Sequence, residues 1–200
     1  MALRSNYCEK SLLECGCDEV GRGCLSGPVC AAAVIFPYDY YNEKINDSKQ
    51  LTEKKREELS EIIKHDALAW SITEVSVNEI DKINILNASI KCMNLAINSL
   101  KIKPEFLLID GNRFKDELNI PFKCVVKGDA TFISIAAASI LAKTYRDALM
   151  RKLDKDFPEY DWAHNKGYAT PKHIAAVNAH GLTIHHRKSF HLKNQLSLEF

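Results

Sequence analysis

Two apolar segments around a Gly-Arg-Gly turn provide the framework of this 200-residue chain. The first segment, 12–19, ends in the adjacent acids Asp18 and Glu19. The second segment, 28–36, is almost continuously apolar, as expected of a strand that is covered on both faces. The pattern therefore predicts two strands joined through Gly21-Arg22-Gly23, with the second strand inside a layered domain.

The rest of the chain alternates between strand and helix patterns. The further predicted elements are strands at 68–75, 105–110 and 122–126 and helices at 52–65, 78–99 and 131–153. Their order predicts a mixed α/β fold, with one five-stranded sheet flanked by helices. We expect a core domain over 10–155 and a basic, helical C-terminal extension over 156–194 that packs on it.

The C-terminal region is basic, although the net charge of the whole chain is only +1. From Trp162 to Leu198 there are five Lys or Arg, six of the seven histidines and no Asp or Glu. A segment with one sign of charge attracts polyanions. A solvated basic tail explains the composition equally well. The interleaved His164, Tyr168 and Phe190 favour nucleic acid, because flat rings stack on bases and sugars.

The cellular location is predicted from segments that the sequence lacks. No segment is long and apolar enough to span a membrane, and the first residues lack the apolar core of a signal peptide. The seven cysteines are an odd number without C-x-x-C pairs, which is typical of reduced thiols. We expect a cytoplasmic monomer with no membrane contact. A zinc site among cysteines 15, 17, 24 and 30 is the alternative, although their alternation favours buried strand positions.

Acids follow three of the predicted strands: Asp18-Glu19, Asp110 and Asp129. Ligands gather at strand ends in α/β sheets, so acids that are distant in sequence can converge there. Two divalent cations held by such acids can activate water and stabilise the departing oxygen of a phosphodiester. Taken singly, Asp110 could start a turn and Asp129 could cap the next helix. Their shared position at strand ends favours a metal-dependent nuclease.

Seven sequence blocks occur in a distinctive order. They are Cys17-Asp-Glu-Val-Gly-Arg-Gly-Cys-Leu-Ser-Gly-Pro-Val29, Asp47-Ser-Lys-Gln-Leu51, Leu108-Ile-Asp-Gly-Asn112, Lys127-Gly-Asp129, Ile135-Ala-Ala-Ala-Ser-Ile-Leu-Ala-Lys143, Lys166-Gly-Tyr-Ala-Thr170 and His186-Arg-Lys-Ser-Phe190. Through these blocks the chain resembles the ribonuclease HII family over nearly all of 12–190. The resemblance implies a ribonuclease H-like fold and Mg²⁺- or Mn²⁺-dependent hydrolysis of RNA in RNA–DNA hybrids or embedded in DNA duplexes. It also implies cutting on the 5′ side of a ribonucleotide, which leaves 3′-hydroxyl and 5′-phosphate ends and suits ribonucleotide excision and primer removal.

The same resemblance implies a two-ion site built from acids. Asp18, Glu19 and Asp110 would be the core metal ligands, with Asp129 as the fourth carboxylate. Asp147 is a rival candidate, but its place on a helix among basic residues favours a salt bridge. The histidines show no convincing metal spacing and are interpreted as surface or nucleic-acid contacts.

Substrate contacts are implied in the same way. The backbone of Gly21-Arg22-Gly23 would detect the 2′-hydroxyl, which distinguishes RNA from DNA. Tyr168 would pack on the deoxyribose that follows the ribonucleotide. Lys49 and Lys143 would contact phosphates, although each could be a solvated surface charge. Cys24 stands where the family commonly has proline, which leaves the ligand set unchanged.

Two other functions stay open: a non-catalytic hybrid-binding protein and a ribonuclease H-like resolvase for plain DNA. Clustered acids facing phosphates argue against the first, and a ribose-sensing turn with Tyr168 argues against the second. The last six residues, Gln195-Leu-Ser-Leu-Glu-Phe200, resemble the hexapeptide with which bacterial polymerases and repair enzymes dock on a sliding clamp. Packing of this segment on the domain as a final helical turn is the alternative.

Overall fold

Five strands and six α-helices occur in the part of the chain that the computed structural model describes, residues 3–9, 12–46, 48 and 51–190. The strands are β1 (Glu14–Val20), β2 (Val29–Ile35), β3 (Ala69–Val75), β4 (Phe106–Asp110) and β5 (Phe122–Val125). The helices are α1 (Glu53–Asp66), α2 (Val77–Ile83), α3 (Ile85–Asn98), α4 (Ile133–Asp156), α5 (Trp162–Asn165) and α6 (Pro171–His180). Short 3-10 turns at Gly128–Ala130 and Pro158–Tyr160 precede α4 and α5.

The strands form one mixed sheet in the order β3-β2-β1-β4-β5. β2 is antiparallel to both β1 and β3, whereas β4 is parallel to β1 and β5 is parallel to β4. In the β1–β4 register Cys17 lies beside Ile109, so the next residues, Asp18 and Asp110, follow side by side. The predicted five-stranded α/β fold is confirmed, and its register brings two of the predicted acids together.

Helices cover both faces of β2, which explains why this strand is apolar throughout. Its alternate residues from Val29 to Ile35 pack in one cluster with Cys92 and Ala96 of α3. The intervening Ala32 and Val34 pack with α1 and α4 on the opposite face. All seven residues of β2 are buried. The neighbouring strand β1 ends where this buried core meets solvent, and the acids lie at that end.

The prediction of a single helix over 78–99 is wrong in one respect. The segment forms two helices, which are separated at Asn84. Asn84 has φ 65°, ends α2 and caps α3, where its side chain accepts the Asn87 N–H at 3.1 Å. Asparagine tolerates positive φ and competes for backbone donors through its short amide side chain. Both helices direct apolar residues toward the sheet, so the helical periodicity continues across the break and conceals it.

The region after α4 has a small hydrophobic cluster of its own. Tyr160, Trp162, Ala176 and Val177 pack on Met150 of α4. The predicted basic region is therefore helical in part and attached to the core through α4, as far as residue 190. Within the described ranges, no helix has the length and hydropathy needed to cross a bilayer.

Candidate active site

Asp18 and Glu19 lie at the exposed end of β1. Asp18 is only 6% exposed, and its Oδ1 accepts the Glu19 N–H at 2.7 Å. Glu19 Oε1 lies 3.0 Å from Arg22 Nη1. Burial, together with the charges of Glu19 and Asp110, raises the pKa of Asp18 well above its usual range. The carboxylates are therefore close enough to repel one another.

Asp110 lies at the next strand end, where it contacts the turn that carries Asp129. Asp110 is the last residue of β4, and its Oδ1 accepts the Gly128 N–H at 2.7 Å. Gly128 begins the 3-10 turn that carries Asp129, which is 4% exposed. The alternative role of Asp129 as a helix cap is wrong, because Phe132 occupies the N-cap position of α4. The turn hypothesis for Asp110 is compatible with the site, since Gly111 follows with φ +95°.

The oxygen donors at these strand ends suit a hard divalent cation, which prefers carboxylate ligands. Burial is also the largest cause of the raised pKa of Glu19, and the Arg22 guanidinium partly offsets it. A bound cation would relieve the repulsion that the acids exert on one another. In the arrangement described for residues 3–190, with the stated gaps, no three His, Cys, Asp or Glu side chains already form a metal-binding group. Two of the acids are instead held by Arg22 and by the Gly128 amide.

The cysteine alternative lacks support in the described part of the chain. All seven thiols are free, and Cys15, Cys17, Cys24 and Cys30 are fully buried. Cys15 and Cys17 are members of the cluster that packs against α3. Buried, apolar surroundings raise the pKa of both thiols, which disfavours the thiolate that zinc requires.

Tyr168 lies beside the Gly-Arg-Gly turn. Cys24, the residue after the turn, forms an isolated antiparallel bridge with Tyr168. The Tyr168 ring is 42% exposed, so it offers a flat surface next to the turn. The structure thus places two sequence-predicted elements, 145 residues apart, on one surface.

Lys143 is paired within the protein. Its Nζ lies 2.7 Å from Asp147 Oδ1, and the other carboxylate oxygen lies 3.2 Å from Arg56 Nη2. These two ion pairs confirm the predicted role of Asp147 as a salt-bridge partner. Asp147 itself is only 2% exposed. Lys49, the other predicted phosphate contact, lies outside the described residues.

Ser139, which lies in α4, was assigned no site role from the sequence. Its side chain partly offsets the rise in the pKa of Asp18, and its hydroxyl lies 2.9 Å from the Ser48 hydroxyl. Ser48 belongs to the Asp47–Leu51 block, so this contact connects that block to the acid. Both serines lie in sequence blocks that carry the family resemblance, and this was the signal in the sequence that could have indicated a role at the site.

The interpretation of the histidines as surface contacts is wrong for two of them. His173 and His186 are 0% and 1% exposed. The His173 Nδ1–H donates to the Tyr168 carbonyl oxygen at 2.9 Å, and its Nε2 lies 3.1 Å from His186 Nε2. His186 Nδ1 accepts the Thr183 N–H at 3.0 Å, so both rings are neutral. The pair supports the backbone of Tyr168 from inside the domain.

Acidification is expected to destabilise the protein through this pair. Burial lowers the pKa of His186 from 6.5 to about 4 and lowers the pKa of His173 as well. Between these pH values the unfolded chain binds protons that the folded chain excludes. The contribution of these histidines to the free energy of unfolding is therefore complete above pH 6.5 and decreases as the pH falls toward 4. We expect a loss of ~1 kcal/mol per pH unit for each such histidine in the free energy of unfolding.

Denaturant unfolding between about pH 7.5 and about pH 5 measures this slope. The slope should flatten in His186→Asn and persist in His164→Gln, because the His164 ring is exposed. An equal slope in the wild type and in His186→Asn would contradict the assignment.

The mixed five-stranded sheet with flanking helices, and with acids at the ends of two adjacent parallel strands, has the ribonuclease H-like fold. The family model for ribonuclease HII matches residues 15–193. Ribonuclease HII of Bacteroides fragilis is 58% identical over 193 residues, which are 96% of each chain. The ribonuclease HII of Archaeoglobus fulgidus, solved as a complex with PCNA, has a TM-score of 0.76 at 25% identity and covers 94% of this chain and 98% of its own. Bst-RNase HIII, solved in complex with Mn²⁺, shares the fold with a TM-score of 0.64 at 21% identity, over 86% of this chain and 63% of its own.

The chain belongs to the ribonuclease HII family. It is accordingly a ribonuclease H, an endonuclease that hydrolyses RNA in RNA–DNA hybrids.

Proposed function

We propose that this ribonuclease H uses Mg²⁺ or Mn²⁺ to hydrolyse the phosphodiester on the 5′ side of a ribonucleotide, in hybrids or within duplex DNA, leaving 3′-hydroxyl and 5′-phosphate ends. The observation that carries the proposal is the meeting of Asp18-Glu19 with Asp110 at adjacent strand ends, next to the Asp129 turn. Bst-RNase HIII, a protein of the same fold, has been solved with Mn²⁺. Such cutting suits excision of ribonucleotides and removal of RNA primers.

In this proposal Asp18, Glu19, Asp110 and Asp129 hold the cations. When bound, two such ions activate water and stabilise the departing oxygen. The Ser139 side chain favours the charged form of the Asp18 carboxyl, which is the form that binds a cation. In the free protein Arg22 pairs with Glu19 at 3.0 Å, so a cation would compete with Arg22 for that carboxylate.

Recognition of the substrate is assigned to the neighbouring surface. The backbone of Gly21-Arg22-Gly23 reads the 2′-hydroxyl, and the exposed Tyr168 ring packs on the next deoxyribose. Lys143 reaches a phosphate by exchanging part of its ion pair with Asp147, and Lys49 is a second phosphate contact. A purely binding role is disfavoured, because mutually repelling acids weaken phosphate binding unless cations accompany them. A plain-DNA resolvase is disfavoured by the position of Tyr168 beside the ribose-reading turn.

A duplex with one embedded ribonucleotide tests the proposal. We expect cutting on the 5′ side of the ribonucleotide in the presence of Mg²⁺ or Mn²⁺, and none in a metal-free buffer with chelator. An all-DNA duplex of the same sequence is the control. Equal cutting of both duplexes would refute ribose recognition and favour the resolvase.

Loss of the Tyr168 ring is expected to weaken junction recognition. Tyr168→Ala should lower kcat/KM on the single-ribonucleotide duplex by about 10- to 100-fold, since an aromatic stacking contact is worth ~1–3 kcal/mol. Tyr168→Phe keeps the ring and should retain most of the activity. Tyr145 is a matched control, with 41% exposure against 42% for Tyr168, and Tyr145→Ala should leave kcat/KM unchanged. Equal losses in the two alanine variants would contradict the role of Tyr168.

We also propose that Gln195–Phe200, which lies outside the described residues, docks on a sliding clamp. The complex of the archaeal relative with PCNA supports such a partnership for the family fold. Leu198 and Phe200 would fill an apolar groove of the clamp. A chain truncated after Asn194 should lose clamp binding in a pull-down or titration while it keeps its basal nuclease activity. Undiminished clamp binding by the truncated chain would exclude this segment.

A further inference from the structure

Two buried arginines lie behind the loops assigned to ribose recognition. Arg146 of α4 is 0% exposed, and Arg187, after α6, is 2% exposed. A charged group is costly to remove from water unless its donors are paired. Both guanidinium groups donate to backbone carbonyl oxygens of the loops, so the loops satisfy the donors and the arginines hold the loops.

Arg187 binds both ends of the loop between β1 and β2. Its Nη2 donates to the carbonyl oxygens of Gly21 and Gly27 at 2.7 and 2.8 Å, and its Nε donates to Gly27 at 3.0 Å. Its Nη1 donates to the Arg22 carbonyl oxygen at 2.9 Å. Because these carbonyl groups point inward to one guanidinium, the orientation of the Gly21–Gly23 peptides is set from behind.

Arg146 connects the same loop to the Tyr168 segment. Its Nη2 donates to the Ser26 carbonyl oxygen at 2.9 Å, and its Nε donates to the Pro28 carbonyl oxygen at 3.0 Å. Its Nη1 donates to the carbonyl oxygen of Lys166 at 2.8 Å, two residues before Tyr168. One planar guanidinium therefore fixes the distance between two segments that are far apart in sequence.

Glycines allow this close arrangement. Gly21 has φ +96°, and a Cβ atom there would overlap Nε of Arg146. Gly167 has φ +85°, and a Cβ atom there would be 2.5 Å from the Ser26 carbonyl oxygen. The Leu25 N–H also donates to the Gly167 carbonyl oxygen at 2.8 Å. The two loops and the two arginines thus form one closely packed unit.

We propose that Arg146 and Arg187 are positioning residues that set the spacing between the Gly21–Gly23 backbone and the Tyr168 ring, and so direct cutting to the RNA–DNA junction. The inference rests on the proposed function of these two loops. Arginine suits the task because its fork of five donors is rigid and planar, whereas lysine keeps the charge but has a single ammonium group. Replacement by lysine should therefore loosen the spacing without removing the buried charge.

The test uses a strand with an RNA tract followed by DNA, annealed to complementary DNA, and maps every cut. The wild type should cut mainly before the last ribonucleotide. Arg187→Lys and Arg146→Lys should spread the cuts along the RNA and lower the ratio of junction to internal cuts by about tenfold, since small misplacements can cost up to about 100-fold. The ratio is measured within one substrate, so a lower folded fraction does not change it. Arg151 is a partly exposed α4 residue that is paired with Glu53 and Glu57, and the control variant Arg151→Lys should keep the wild-type ratio.

A milder variant covers the case in which neither lysine variant folds. Asp81 accepts the Lys188 and Ser189 N–H groups, each at 3.0 Å, next to Arg187. Asp81→Ala frees this segment from the protein surface and should lower the ratio by about threefold.

The outcomes separate the two proposals. A wild type without junction preference overturns junction reading and the positioning role together. A wild type with that preference, and folded variants with an unchanged ratio, overturn the positioning role alone. In that second case the arginines only stabilise the fold.

Discussion

Asp110→Asn is expected to abolish cleavage while leaving the protein folded and able to bind hybrid. Correctly placed cations supply several kcal/mol of transition-state stabilisation and each ~1.4 kcal/mol is tenfold in rate, so kcat should fall by about 1000-fold or more. The amide oxygen of the new side chain can still accept the Gly128 N–H that Asp110 accepts at 2.7 Å. Removing one charge also relieves the repulsion that contributes to the raised pKa of Asp18. The melting temperature in chelator should therefore not decrease.

Single-turnover cleavage and thermal melting measure the two effects separately. Added Mn²⁺ should raise the melting temperature of the wild type, because a ligand of the native state stabilises it, and should raise that of Asp110→Asn much less. Asp147→Asn is the comparison. It weakens buried ion pairs with Arg56 and Lys143, so it should lower the melting temperature but keep a metal-dependent rise and measurable cleavage. Cleavage by Asp110→Asn at the wild-type rate would remove Asp110 from the metal site.

Gly16→Ala is expected to produce the largest loss of stability among single methyl additions. A Cβ atom at Gly16 of β1 would overlap the backbone of Ser134 and Ile135 in α4. Backbone atoms cannot rotate away, so α4 would have to move from the sheet. Overpacking costs about 1–3 kcal/mol, and this site belongs at the upper end of that range. The movement would also shift Ser139 away from Asp18, so activity should fall by more than the folded fraction predicts.

Urea unfolding gives the change in stability, and Gly23→Ala provides a matched control. A Cβ atom at Gly23 would have no neighbour within 4 Å, so this variant should differ from the wild type by less than about 0.5 kcal/mol. Equal stabilities of the Gly16 and Gly23 variants would show that α4 adapts to the added methyl group.

The strands were predictable because each is a short apolar segment that ends in a turn or an acid. β2 is predicted to within one residue at each end, since enclosure on both faces requires apolar residues at every position. The break at Asn84 could not be seen from periodicity, because both helices bury residues at the same spacing. The positive φ of Asn84 depends on where α2 and α3 dock on the sheet.

The buried histidines illustrate what local sequence leaves open. His173 and His186 lie in a segment without acids, which indicated a solvated or nucleic-acid-binding surface. In the structure they pair with each other and with Trp162, whose Nε1–H donates to His173 at 3.1 Å. A neutral imidazole has one donor and one acceptor, and only partners brought in by the fold decide whether it can be buried.

The sequence by itself determined the strand pattern, the acids at strand ends and the family resemblance, because these depend on residue type and spacing along the chain. The tertiary structure alone decided that Asp18 lies beside Asp110, that Asp147 pairs with Arg56 as well as with Lys143, and that Arg146 and Arg187 lie behind the recognition loops. These relations depend on strand register and on distances between segments that are remote in sequence. Register follows from the packing of both sheet faces together, which no single segment encodes.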